Sequence, residues 1–356
     1  MTLAGLALRI DHVVTKSKIS VRPKNTVFVL GFPSSGTTWI SNLINAHPDV
    51  IYRHELFGRF HARFGPRLFS SLKHDNGLNE QDFEDALRLA VLAIPGTDRP
   101  PFFRKSYTRL SLPQLRKALW LLGRSSSSLA NVYSYLYTPR SIGSASLFIK
   151  ETRSSVNLES MLNGMRADKI LVLIRHPYSV VASHIAGINA GVMSSHDQER
   201  RAEWYAHRKE APYLQERGIG ETEISEMTEV EFLAVNWLLQ NQDYLEIADR
   251  GQDTLVLAYE NFLRDPSNQT VRLMQFLGLE VTEQVKDFVV DSTGDKKVSV
   301  LTKDASNSFY SVYRDKSFDP QKWRNVLDEE AISLIDSHCE LFLQNLALFD
   351  EEDFAT

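Results

Sequence analysis

The chain has 356 residues, of which 43% are apolar and 24% are charged, and its formal net charge is −5. This balance is typical of a globular enzyme, and the length fits one large α/β domain or two average ones. The negative charge excludes the basic footprint of a general nucleic-acid-binding protein, so we expect no nucleic-acid partner. A local basic site for an anionic ligand remains compatible with it.

The cysteine count and the apolar runs bear on the cellular compartment. Cys339 is the single cysteine of the sequence, so no intrachain disulfide can form. This fits a reducing compartment, and we expect a cytoplasmic protein. We expect no signal peptide, because the first residues lack a basic segment before a long enough apolar run. No run of about 18 apolar residues occurs, so we expect a soluble chain without a transmembrane segment.

Four short apolar or β-branched runs predict strands. In chain order they are Thr26–Leu30, residues 147–150, Lys169–Ile174 and residues 254–258. Each is followed by a helical pattern, and apolar strands that alternate with helices indicate a parallel sheet buried on both faces. We therefore predict a three-layer, P-loop-containing α/β fold with a mainly parallel central sheet and helical insertions.

The spacing of these strands predicts the domain organisation. We expect one domain over residues 26–348, an N-terminal extension over residues 1–25, and an acidic tail over residues 349–356. Residues 56–146 and 187–230 are interpreted as insertions that cover the ligand edge of the sheet. Helical patterns occupy residues 80–94 and 112–122, and apolar spacing predicts a C-terminal helix after Asp328.

The strongest local signal is the sequence GFPSSGTTW, from Gly31 to Trp39, which directly follows the first predicted strand. A glycine loop between a strand and a helix binds anions, because Gly36 admits close approach and the first helical amides point at the ligand. The glycine spacing is that of a P-loop, but Thr37 replaces the lysine of ATP-hydrolysing loops. We predict a phosphate loop without the lysine clamp for β- and γ-phosphates; the alternative is a plain strand-to-helix turn.

A second phosphate site is predicted where the third strand ends. Arg175 follows this strand directly, and Pro177 suits the first turn of a helix. Ser183 lies on the same face of that helix as Ser179. An arginine at a strand end binds phosphate well, and a serine beside it adds a neutral donor. The alternative is a helix-capping salt bridge.

The loop resembles the 5′-phosphosulfate loop of sulfotransferases that depend on 3′-phosphoadenosine 5′-phosphosulfate (PAPS). The resemblance implies that PAPS is the co-substrate and that Trp39 stacks on its adenine. It also implies that the loop residues bind the phosphosulfate; these are Ser34, Ser35, Gly36, Thr37 and Thr38. The family carries a basic residue at the position of Ser34, so the loop lacks that cation.

The resemblance covers roughly residues 26–190 and 231–346. It implies that Arg175 and Ser183 bind the 3′-phosphate, since their spacing matches the family pattern. It further implies that Tyr259 approaches the adenine, the alternative being core packing. Lys316 stands before Trp323 as a basic residue of the 3′-phosphate loop does in relatives.

The stretch from His47 to Glu55 resembles the tyrosylprotein sulfotransferases. It implies that Glu55 is the catalytic base and that Lys150 stabilises the transition state, with Arg153 as a fallback. His54 is a competing base, because the ordinary pKa of histidine lies close to neutrality. If this segment is extended, His54 points to the opposite side from Glu55.

Further alternatives stay open for these charged residues. Glu55 could be a surface carboxylate paired with Arg53 or Arg59. Lys150 could be a lysine whose stem covers a strand end while its ammonium reaches solvent.

These residues predict a sulfuryl transfer from PAPS to a hydroxyl or amine acceptor. The sulfuryl group carries less charge than a phosphoryl group, and the sequence has no metal-ligand spacing, so we expect no metal requirement. The acceptor class remains open among small molecules, carbohydrates and lipids, and so does the oligomeric state. The alternatives are a P-loop nucleotide kinase and a non-catalytic nucleotide-binding protein.

Overall fold

The computed structural model describes residues 23–55, 87, 90–96, 98–139, 143–152, 158–250, 253–293 and 321–349. Its centre is a five-stranded sheet whose strands pair in parallel throughout. The strands are β1 (Thr26–Leu30), β2 (Val50–His54), β3 (Ser146–Glu151), β4 (Lys169–Ile174) and β5 (Asp253–Ala258). Their order across the sheet is β2-β3-β1-β4-β5.

The four predicted strands are confirmed, with β3 and β5 extended by a residue at one or both ends. The strand β2 was not among them. Its sequence VIYRH has a buried Arg53 and a buried His54 where an apolar run would be expected. These polar side chains are buried because neighbouring segments supply partners for them, and a single strand's sequence does not reveal such partners.

Helices occupy the connections. The helices in the described ranges are α1 (Thr37–Asn45), α2 (Pro113–Gly123), α3 (Ser127–Tyr137), α4 (Leu158–Gly164), α5 (Pro177–Asn189), α6 (Gln198–Arg208), α7 (Pro212–Arg217), α8 (Glu221–Glu226), α9 (Glu229–Ala248), α10 (Tyr259–Arg264), α11 (Pro266–Leu277), α12 (Glu283–Thr293) and α13 (Glu329–Leu346), with a 3₁₀ turn at Lys322–Asn325. None of them is long and apolar enough to cross a bilayer.

The two faces of the sheet are each covered by a hydrophobic core. Side chains alternate along β1, so Phe28 and Leu30 enter one core while Val27 and Val29 enter the other. The first core includes Trp237 of α9, and the second includes Ile40 of α1. This arrangement confirms the three-layer α/β fold, since helices cover a sheet that is buried on both sides.

A buried charged cluster fixes the hairpin of α2 and α3 to the edge strand β2. The Asp98 carboxylate accepts hydrogen bonds from Arg53 Nη1 at 2.8 Å and from Arg116 Nη2 at 2.6 Å. Tyr133 of α3 donates to the same carboxylate at 2.5 Å. Removing a buried partner leaves an uncompensated charge, so this cluster holds the hairpin in one place.

Candidate active site

The C-terminal edge of the sheet gathers the predicted site residues in strand order. Glu55 directly follows β2, and Lys150 lies near the end of β3. The phosphate loop follows β1, Arg175 follows β4, and Tyr259 follows β5. The carboxyl ends of parallel strands form the ligand-binding edge of α/β sheets, so neighbouring strands bring these side chains to one crevice.

The phosphate loop is a tight turn between β1 and α1. The amide of Ser35 donates to the carbonyl of Phe32 at 3.0 Å, and Gly36 precedes α1 with a φ of 83°. Ser34 also has a positive φ of 69°. No side-chain cap hydrogen bond occupies the start of α1 in the described structure, so its first amides are left for a ligand or solvent.

Gly36 is required here because the Tyr259 ring lies directly against it. A Cβ at this position would lie 2.1 Å from Tyr259 Cε2. We expect Gly36→Ala to lower the free energy of unfolding by the roughly 1–2 kcal/mol of a left-handed alanine, and by a further ~1–3 kcal/mol for overpacking a buried ring. Urea unfolding of the variant measures this loss.

Gly191→Ala is the matched control for this substitution. Gly191 has a φ of 67°, but nothing lies within 4 Å of the added Cβ. It therefore reports the backbone strain without the steric clash. Equal losses for the two variants would contradict the close approach of Tyr259 to the loop.

Arg175 connects the phosphate loop to the two strands beside it. Its Nη1 donates to the carbonyl of Ser34 at 2.8 Å, and its guanidinium carbon lies 5.0 Å from the centre of the Tyr259 ring. Burial lowers the pKa of Arg175, opposed by the nearby Glu260. A bound anion would offset this desolvation of the guanidinium.

The helix α5 contacts the phosphate loop. Pro177 stands in its first turn, as predicted, and both Ser179 and Ser183 are buried on it. Beside Ser183, His184 Nε2 lies 3.3 Å from the carbonyl of Pro33, so the ring donates this hydrogen bond. Burial lowers the pKa of His184, which favours the neutral ring. The loop is thus fixed at Pro33 by His184 of α5 and at Ser34 by Arg175, which follows β4.

Two buried polar atoms at this loop fit an anionic ligand. Ser35 Oγ and Arg175 Nε are buried and have no hydrogen-bond partner within the described part of the chain. Buried donors without partners are costly, and they are explained when a ligand or ordered water completes them. Together with the left-handed Gly36, they form a donor set that suits phosphate or sulfate oxygens.

Of the two remaining predicted nucleotide-binding residues, Trp39 lies within the described residues and Lys316 does not. Trp39 is buried in the second core, where its Nε1 donates to Ser292 Oγ at 2.9 Å. It lies edge-on to Phe262. Its stacking on adenine stays a prediction. Lys316 lies outside the described residues, and Trp323 is buried against Tyr178.

Glu55 and Lys150 form an ion pair at the other end of the crevice. Lys150 Nζ lies 2.7 Å from Glu55 Oε1, and the Glu55 amide donates to the Lys150 carbonyl at 2.7 Å. The Lys150 side chain is 3% exposed and that of Glu55 is 24% exposed. The predicted base is therefore accessible, whereas the predicted cation is buried beneath it. The alternative pairing with Arg53 is wrong, since Arg53 binds Asp98, and Arg59 and Arg153 lie outside the described residues.

His54 lies next to Glu55 and not on the opposite side, contrary to the alternation expected of an extended segment. His54 Nε2 is 3.6 Å from Glu55 Oε1. The reason is the backbone of Glu55, whose φ of 48° ends the strand and redirects the side chain. His54 Nε2 also lies 3.3 Å from Arg99 Nη1, and its Nδ1 lies 2.9 Å from the Tyr52 hydroxyl.

Two side chains at this site were not found from the sequence. Thr152 donates its hydroxyl to Glu55 Oε1 at 3.2 Å. Its position two residues after Lys150 is the available signal, because alternate residues of an extended chain share a side. Arg99 reaches His54 from the segment before α2, and nothing in its local sequence indicates this contact.

Metal-ligating clusters are absent from the described ranges, which contain no group of three or more His, Cys, Asp or Glu side chains placed to hold a metal ion. The predicted charged residues described at this edge are Glu55, Lys150 and Arg175, of which the first two pair with each other. These three side chains bring a carboxylate, an ammonium and a guanidinium to the described edge, and His54 and Arg99 lie beside the carboxylate.

The strand–loop–helix unit on a parallel sheet defines a P-loop-like α/β protein. The sulfotransferase family model matches residues 26–283, which is more than half of the chain. The chain therefore belongs to the sulfotransferase family, and this membership supports sulfotransfer activity in general. A search of curated proteins found no match.

Several solved structures are similar to this chain. The sulfotransferase domain from the curacin biosynthetic pathway is 16% identical, with 90% of this chain and 99% of that chain covered and a TM-score of 0.44. Mouse sulfotransferase SULT7A1 complexed with PAP is 13% identical, with coverage of 94% and 90% and a TM-score of 0.45. Sulfotransferase STF9 from Mycobacterium avium is 16% identical, with coverage of 96% and 81% and a TM-score of 0.42.

Proposed function

We propose that this chain transfers the sulfuryl group of PAPS to a hydroxyl or amine acceptor, without a metal. The observation that carries the proposal is the order of side chains along one sheet edge: Glu55, Lys150, the phosphate loop, Arg175 and Tyr259. The loop with Arg175 and Ser183 would bind the nucleotide, and Glu55 and Lys150 would flank the sulfur. A sulfuryl donor bound at β1 would then point toward the acceptor side at β2.

The proposed reaction is an in-line displacement at sulfur. The acceptor oxygen or nitrogen forms a bond to sulfur while the bond to the bridging oxygen of PAPS breaks, and adenosine 3′,5′-bisphosphate (PAP) leaves. The acceptor's proton passes to the Glu55 carboxylate. Lys150 meets the charge that develops on the transferring and leaving oxygens.

The hydrogen bonds favour Glu55 over His54 as the base. A guanidinium only donates, so the Arg99 contact makes His54 Nε2 an acceptor and leaves the proton on Nδ1, toward Tyr52. The lone pair with which His54 would take a proton is thus already engaged. Glu55 is more exposed than His54, at 24% against 9% of the side chain, so an acceptor can reach it more readily.

Lys150 would also supply the positive charge that the phosphate loop lacks. Ser34 stands where family members carry a basic residue, so Lys150 would be the cation nearest the sulfuryl group. Its pairing with Glu55 holds both side chains at the crevice before substrate binds. Once Glu55 accepts the acceptor's proton, the ammonium is released from this pair and is available to the leaving group.

The proposal extends to the acceptor and to the cellular compartment. The proposed acceptor is a small molecule, a carbohydrate or a lipid; residues 56–86, the first part of the insertion expected to cover the ligand edge, lie outside the described residues. A cytoplasmic location is favoured by the single cysteine, Cys339, which is buried. A nucleotide kinase is disfavoured, since Thr37 stands where the P-loop lysine would be.

Nucleotide choice tests this proposal. We expect PAP to bind far more tightly than ATP, because ATP lacks the 3′-phosphate that Arg175 and Ser183 would bind. Arg175→Ala should remove about 1.5–3 kcal/mol of PAP binding free energy for each charge-assisted hydrogen bond that the guanidinium donates to the phosphate, and should leave ATP binding less changed. Isothermal titration calorimetry with both nucleotides measures this preference.

The control is Arg200→Ala, which removes an exposed arginine of α6 whose side chain is 52% exposed. It should leave both affinities unchanged. Equal affinity of the wild-type chain for PAP and ATP would be incompatible with a 3′-phosphate site at Arg175.

A further inference from the structure

The hairpin of α2 and α3 presents apolar side chains to solvent. The exposed fractions are 40% for Leu115, 51% for Leu121 and 54% for Leu122 on α2, and 44% for Val132 and 65% for Tyr135 on α3. A surface helix normally turns its apolar stripe to the core. Here the buried side of α2 includes Arg116, bound to Asp98, while leucines lie outside.

The exposed side chains form stripes along both helices. Leu115 and Leu122 are seven residues apart, which places them on one face of α2 two turns apart. Val132 and Tyr135 are three residues apart on α3, and α2 and α3 pack together. The exposed Lys117, Leu121 and Arg124 share another side of α2, next to the leucine stripe on the exposed half of the helix. We call this surface the hairpin face; its residues are Leu115, Lys117, Leu121, Leu122, Arg124, Val132 and Tyr135.

The sequence segment that contains the hairpin face carries charged residues of a single sign. Between Asp98 and Glu151 the sequence has no Asp or Glu. Among the basic residues of this stretch, Lys105, Arg116 and Lys150 are buried, whereas Arg104, Lys117 and Arg124 are exposed. The whole chain has a net charge of −5, so the charge of this basic segment is opposite in sign to that of the protein as a whole.

We propose that the hairpin face docks on a membrane surface that contains anionic lipids. Exposed leucines would enter the boundary between head groups and acyl chains, while Lys117 and Arg124 would face the lipid phosphates. A second copy of the chain fits less well, because two basic faces would repel each other. The Asp98 cluster joins the hairpin to β2, so a docked chain would hold its Glu55 crevice near the lipid surface.

Vesicle sedimentation with the full chain tests this proposal. We expect binding to vesicles of phosphatidylcholine and phosphatidylserine in equal amounts, and at least about tenfold weaker binding to phosphatidylcholine alone. Leu121→Gln combined with Leu122→Gln should lower partitioning about tenfold or more. Lys117→Glu should also lower it, and added salt should weaken the wild-type binding.

Leu341→Gln is the matched control. Leu341 is 71% exposed on α13, outside the basic stretch between Asp98 and Glu151, and its replacement should not change partitioning. PAP affinity measured on each variant checks that the chain is folded, and it separates this proposal from the nucleotide site. The proposal is overturned if the wild type binds neither kind of vesicle, or if Leu341→Gln lowers vesicle binding as much as the double variant. It is also overturned if sedimentation velocity shows a dimer that the double variant abolishes.

Discussion

We expect Glu55→Gln to lower the rate of sulfuryl transfer about 10²–10⁴-fold, the usual cost of removing a general base. Glutamine keeps the size of the side chain and its contacts with Lys150 and Thr152, but cannot accept the acceptor's proton. PAP binding should be nearly unchanged, because Glu55 follows β2 and the phosphate loop follows β1, with β3 between them. Turnover with saturating PAPS and calorimetry with PAP separate the two effects.

His54→Gln is the variant that discriminates between the two candidate bases. We expect a small effect, since Nε2 of His54 is engaged by Arg99. Full activity of Glu55→Gln together with an inactive His54→Gln would transfer the role of base to the histidine. If both variants stay active, the acceptor side is not at β2.

Lys150→Met should reduce turnover about 10²–10³-fold, the range found when a donor to developing charge is removed. Methionine retains much of the buried stem, so the loss reports the ammonium and not a cavity. The effect should fall mainly on the chemical step, because the charge that Lys150 meets develops along the reaction path. Single-turnover rates and PAP affinity measured side by side show this split.

Two further variants provide a control and a rescue for this experiment. Lys169→Met removes a lysine that pairs with Asp253 at the opposite edge of the sheet, and it should not alter turnover. Ser34→Lys restores a cation at the loop position where relatives carry one, so it should recover part of the activity of Lys150→Met. Loss of PAP binding in Lys150→Met would instead place the lysine in nucleotide binding.

The sequence predicted the parts of the site that follow apolar strands. β1 and β4 are continuous apolar runs, so the residues alone placed the phosphate loop and Arg175 at the sheet edge. Glu55 was placed by resemblance to a family motif. Its left-handed backbone, which sets its side chain beside His54, has no signature in the local residues.

Long-range contacts account for what the sequence did not predict. β2 becomes a buried edge strand because Asp98, 45 positions along the chain, neutralises Arg53. Arg99 reaches His54 for the same reason, since the segment that carries both Asp98 and Arg99 is fixed by the α2–α3 hairpin. Partners this distant in sequence are not encoded in periodicity or in strand-end motifs.

Transfer of labelled sulfur from PAPS tests the central claim most directly. The wild-type chain and Glu55→Gln would be incubated with labelled PAPS and a panel of sugars, phenols and lipid hydroxyls, and both labelled acceptor and PAP would be measured. We predict that the wild type labels at least one acceptor and forms PAP in equal amount, and that Glu55→Gln is slower by about 10²-fold or more. A wild-type chain that binds PAP but labels no acceptor above the level of Glu55→Gln would contradict the account and indicate nucleotide binding without transfer.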